Sequence, residues 1–143
     1  MRIVLDSNIL ISSLIKDSIT REIILNSNNE FLLPEYSLLE IRKHENYILS
    51  KTQLSKEEFN RLIKKILEYI NIVEIEKIIN HKEKADKIIG DIDKDDVLLV
   101  ACALAYPGSI IWSEDKHFKL QNKIRVYNTK EFISVITNSK SDG

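Results

Sequence analysis

Glycine and proline are scarce, 3 and 2 residues in a chain of 143, so few loops can be long or irregular. Cysteine is nearly absent. With Cys102 alone no intramolecular disulfide can form, which suits a reducing cytoplasm, and its apolar neighbours make it a small buried hydrophobe. No stretch approaches the roughly 18 consecutive apolar residues of a membrane span. Asp6 and Asn8 interrupt the apolar N-terminus before it could serve as a signal peptide, so a cytoplasmic protein with no membrane partner is expected. Positive charge is not in excess either. Lysine and arginine number 21 against 22 acids, a formal net charge of -1, so no global field advertises a nucleic-acid partner, although a local basic patch is compatible with that total. A glycine-rich phosphate loop and a Gly-x-Ser-x-Gly nucleophile elbow are both missing.

What is present fits a globular chain long enough to bury one core: 43% hydrophobic and 30% charged residues. One domain is expected over residues 1–137, with a disordered tail at 138–143. The apolar pattern predicts short strands at 2–5, 31–33, 72–75, 110–112 and 124–127. Helices are expected at 9–15, 20–25 (capped by Ser18), 36–50 and 130–136. Another should start after Ser55, whose hydroxyl, with Glu58 three residues on, forms a capping box. Residues 97–106 are continuously apolar and read as a buried helix, because of their Ala and Leu content and acidic entry. Residues 76–93 carry no clear pattern. Strands alternating with helices predict an α/β sandwich around a mostly parallel sheet.

Four acidic stretches lie where apolar segments begin or end: Leu5-Asp6-Ser7-Asn8, Leu39-Glu40, Asp95-Asp96 and Ser113-Glu114-Asp115. In open α/β sheets, sites form beyond the carboxyl ends of the strands, and that topology lets all four converge. Clustered carboxylates repel one another, burial sharpens the repulsion, and a cation relieves it. All-oxygen donors favour Mg²⁺ or Mn²⁺. Each acid also has an ordinary role. Asp6 can cap the helix that follows, Glu40 can be a solvated helix residue, Asp93 or Asp95 can cap the apolar helix, and Asp115 suits a tight turn. Asp96, immediately before the buried helix, is the better ligand candidate of its group. Ser7 and Asn8 would orient carboxylates or phosphate oxygens by hydrogen bonds. His44, His81 and His117 sit among charged residues without ligand spacing and are expected at the surface.

The segment Ile3-Val4-Leu5-Asp6-Ser7-Asn8-Ile9-Leu10-Ile11-Ser12 resembles the opening motif of PIN-domain ribonucleases. Leu33-Pro34-Glu35-Tyr36-Ser37-Leu38-Leu39-Glu40-Ile41, Asp93-Lys94-Asp95-Asp96 leading into 98–104, and Trp112-Ser113-Glu114-Asp115-Lys116-His117-Phe118 match later motifs in order. The resemblance implies a Rossmann-like three-layer α/β/α sandwich. It also implies an acidic quartet of Asp6, Glu40, Asp96 and Asp115, with Asn8 and Ser113 as polar neighbours, and one or two Mg²⁺ or Mn²⁺ ions. The adjacent Asp95 leaves the third acid open by one position. Many small members resemble VapC-type toxins, ribonucleases held inactive by an antitoxin and commonly homodimeric.

The expected activity is therefore hydrolysis of single-stranded RNA, with Lys16, Arg42, Lys43 and Lys116 as candidates for steering its backbone. Two alternatives stand beside it. One is an acid-cluster phosphohydrolase using Asp6 as nucleophile; the other is a catalytically silent binding module whose acids only cap helices.

Overall fold

The computed structural model describes residues 1–15 and 19–142, with side chains up to 138; Lys16 and Ser18 therefore lie outside the described residues. Strands β1 (Arg2–Leu5), β2 (Glu30–Pro34), β3 (Ile70–Val73), β4 (Ile110–Trp112) and β5 (Val126–Tyr127) form one sheet in the order β3-β2-β1-β4-β5. Every pairing is parallel, with Val4 opposite Leu32 on one side and opposite Ile111 on the other.

Side chains of a strand point alternately to opposite faces, and the core divides accordingly. Ile3, Leu5, Phe31, Leu33, Ile110 and Trp112 face one layer of helices, where they meet Ile9, Leu10, Ile41, Ile63 and Phe132. Val4, Leu32 and Ile111 face the other, against Val100, Ala101, Cys102 and Phe118. The result is a three-layer α/β/α sandwich. Trp112 is fully buried, tilted against Phe31 and Phe132, and its indole N–H donates to Thr129 Oγ1 at 3.0 Å. Burial pushes the Cys102 thiol up to about 12, which leaves it protonated and inert.

The first layer holds α1 (Ser7–Ile15), α2 (Ile19–Asn26), α3 (Glu35–Lys43), α4 (Glu45–Lys51), α5 (Lys56–Leu67) and α9 (Thr129–Asp142). The second holds α6 (Ile75–Ile78), α7 (Lys82–Ala85) and α8 (Val97–Ala105). The capping box expected at Ser55 is present: its hydroxyl accepts from Glu58 N, and the Glu58 carboxylate accepts from Ser55 N. Gly108, with φ of 85°, turns the chain from α8 into β4.

Some expectations change. The helix expected at 36–50 is two helices, α3 and α4, broken at His44, which leaves helical geometry with ψ of 14°. No glycine or proline marks that break, and both pieces pack on α1. The third strand begins at Ile70, because Ile70 and Val73 are the residues it buries, while Ile72 and Ile75 are each 37% exposed. The last strand is shorter than expected. The last helix continues past Ile136, running Thr129–Asp142. The featureless segment becomes α6, a 3₁₀ turn (Ile79–His81), α7 and a π-helical turn (Asp86–Gly90).

Candidate metal centre

Strand order reverses direction between β1 and β4: the chain leaves β1 toward β2 on one side and returns to β4 on the other. Such a reversal opens a crevice beyond the carboxyl ends of the two strands. Asp6 follows β1 directly, and Ser113 follows β4 directly, so the crevice is flanked by these two side chains. The backbone N–H of Asp6 donates to the Trp112 carbonyl at 3.1 Å and ties the two strand ends together.

The crevice is a cleft of about 340 Å³. Asp6, Ser7 and Asn8 line it from β1 and α1; Tyr36, Ser37 and Glu40 from α3; Asp93, Asp95, Asp96, Leu98 and Leu99 from the entry and first turn of α8; and Asp115 from the turn after β4. All four acids of the expected quartet therefore line one cleft. Asp6 is only 8% exposed and both its oxygens are engaged: Ser113 Oγ donates to Oδ2 at 2.6 Å, while Ser7 Oγ and Asn8 N lie at 3.4 Å from Oδ1. Ser113, itself buried, also accepts from Asp115 N at 3.0 Å, so one hydroxyl positions two acids. Asn8 donates its backbone N–H to Asp6.

Three carboxylates crowd more closely. Asp93, Asp96 and Asp115, together with His117, each offer a ligand atom within 4.8 Å of the others. Asp6 and Glu40 fall outside that tight group. Asp6 nevertheless feels Asp115, and Asp96 feels Asp6, through their charges. Burial, then the charges of Asp93, Asp6 and Asp115, push the Asp96 carboxyl up to about 7. Burial also raises Asp6, partly offset by the Ser113 hydrogen bond. Asp96 Oδ2 is buried with no hydrogen-bond partner among the described residues. An acid oxygen left bare among other acids is the arrangement a hard cation satisfies. Asp95 is exposed, and its N–H is capped by the Asp93 carboxylate at 2.9 Å.

His117 had been expected at an ordinary surface position. It is exposed, but its Nδ1 lies 3.3 Å from Asp93 Oδ2 and 3.3 Å from Asp115 Oδ1. The usable signal was local: His117 stands two residues past Asp115, and in a tight turn its own N–H donates to that carboxylate at 2.9 Å. Asp93, expected only as a cap, does cap the turn at Lys94–Asp96 and lines the cleft as well. The basic candidates Arg42, Lys43 and Lys116 lie outside the lining, Arg42 being paired with Glu45 at 3.6 Å.

No curated protein matches the chain. A chain of VapBC2 from Rickettsia felis, crystallised bound to a DNA fragment from their promoter, superposes with a TM-score of 0.63 and 19% identity. The match covers 90% of this chain and 98% of that one, and at such identity it establishes a shared fold. A PIN domain model matches residues 4–133, nearly the whole sandwich and every acid of the cleft. This chain belongs to the PIN-domain family.

Proposed function

We propose that this chain is a metal-dependent endoribonuclease that hydrolyses single-stranded RNA, leaving a 5′-phosphate and a 3′-hydroxyl. We further propose that it is the toxin of a toxin–antitoxin pair, acting in the cytoplasm as a homodimer. The observation that carries the nuclease reading is the buried, unpartnered Asp96 oxygen among carboxylates that repel one another. Family membership supports it, as does the shared fold with a chain of a VapBC complex.

The donor set fits one or two Mg²⁺ or Mn²⁺ ions, which Asp6, Asp96 and Asp115 would hold with Asp93 or Glu40 completing the set. Such an ion lowers the pKa of a bound water and neutralises charge on the phosphate. The chain's own part is orientation. Ser113 fixes Asp6 and Asp115 in one geometry, and Glu40, which lines the cleft from α3, would accept the proton of the attacking water. Lys43 and Lys116 are exposed and would steer the RNA backbone from outside the cleft.

Cleavage of an end-labelled single-stranded RNA in Mn²⁺ tests this directly. Asp96→Asn should reduce the rate by two orders of magnitude or more, since even residues that only support metal ligands are worth about 10–100-fold. Equal cleavage by the wild type and the variant would assign the activity to a contaminant.

A further inference from the structure

The cleft poses a problem for any polyanionic substrate. Six carboxylates line it, and among the described residues no lysine or arginine does. Bound ions can neutralise the phosphate being cut. They leave the flanking nucleotides facing an acidic wall, where the usual gain from pairing phosphates with basic side chains is missing. Affinity inside the cleft must then come from uncharged surface.

Tyr36 supplies that surface. It is the one aromatic residue lining the cleft among the described residues, and it is 47% exposed although its neighbour Ser37 and Ile41 one turn on are buried. A large ring left about half in water beside a polar cleft keeps apolar contact area available to a ligand. Glu40 lies four residues later on the same face of α3, near enough for its charge to act on the Tyr36 hydroxyl. A tyrosine ring has only two side-chain torsions, so little freedom is lost when something stacks on it. Leu98, half-buried, extends the uncharged surface of the same cleft.

We propose that Tyr36 is the platform on which an unpaired base beside the scissile phosphate stacks, and that this contact selects single-stranded over duplex substrate. The inference rests on the nuclease reading of the neighbouring carboxylates. In a duplex each base face is already covered by the next pair, so only an unstacked base can use the ring.

The test is binding without turnover: a single-stranded oligonucleotide carrying 2-aminopurine, titrated with the wild-type chain in Ca²⁺. The wild type should quench the fluorophore, and the matching duplex should bind more weakly and stay unquenched. Tyr36→Phe keeps the face and should bind within about threefold of wild type, whereas Tyr36→Leu should lose quenching and bind about 5- to 50-fold more weakly. In Mn²⁺ with single-stranded RNA, the loss in Tyr36→Leu should fall on KM more than on kcat. Tyr36→Leu matching the wild type, or Tyr36→Phe failing as badly as Tyr36→Leu, would overturn the proposal, the second outcome reducing Tyr36 to a support for Glu40. Absence of any binding to the single strand would also overturn it. Quenched binding with no cleavage in Mn²⁺ would keep the platform and remove the nuclease reading instead.

Discussion

Ser113 does more for the site than its size suggests. Its single proton goes to Asp6 at 2.6 Å, and its lone pair accepts the Asp115 N–H at 3.0 Å, so the residue after β4 aligns acids from the two central strands. Ser113→Ala leaves Asp6 Oδ2 buried without its donor, which costs about 1–3 kcal/mol. The midpoint of urea unfolding should fall accordingly, and Mn²⁺ affinity, measured separately, should fall about 10–100-fold. Asp96 sets the pH behaviour. In the metal-free protein its folded-state carboxyl stays protonated up to about 7, while the unfolded chain releases that proton near the ordinary 3.8. Between those values the folded state binds more protons, so stability should decline as pH rises from about 4 to about 7 and then level off. Melting temperatures across that range should show a slope in the wild type that flattens in Asp96→Asn. A slope of the opposite sign would mean that Asp96 is stabilised as an anion by something other than a metal. Asp6, Asp96 and Asp115 stood out in the sequence because each borders an apolar segment. Asp93 and His117 did not, because the functional signal of each was masked by an ordinary alternative: a cap for Asp93, a charged surface neighbourhood for His117.

At the scale of elements, the parts with local causes could be read before folding. The Ser55 capping box, the amphipathic face of α5 and the buried α8 all follow from side chains within a turn or two of one another. Ser55→Ala should destabilise the protein by about 1 kcal/mol, visible as a shift in denaturant midpoint with an unchanged m-value. RNA cleavage should be unaffected, since α5 contributes no residue to the cleft. The parts with distant causes could not be read this way. The break between α3 and α4 at His44 has no local breaker and reflects packing of both pieces on α1. The start of β3 at Ile70 is set by its pairing with Phe31, far away in sequence, against a run of isoleucines that favours a later start. That α3 break nevertheless leaves Tyr36 and Glu40 together in the first two turns of α3, where the cleft needs them.

For the whole molecule, the all-parallel sheet and its order β3-β2-β1-β4-β5 place the reversal of connectivity between the two central strands. The cleft and the acids that line it follow from that point. The alternation of strands and helices made a layered α/β sandwich legible, and the ordered acidic motifs made the family legible. The strand order, and hence which strand ends adjoin, is a property of long-range pairing that periodicity does not encode. The cost of the arrangement is a cluster of mutually repelling acids beyond the carboxyl ends of the central strands, and the proposed cation would relieve it. Titration of Mn²⁺ into the metal-free protein at pH 8, followed by calorimetry, measures that claim without reference to any substrate. The wild type should show saturable binding that Asp96→Asn abolishes or weakens at least about tenfold. Indistinguishable isotherms for the two proteins, or no binding to either, would contradict it.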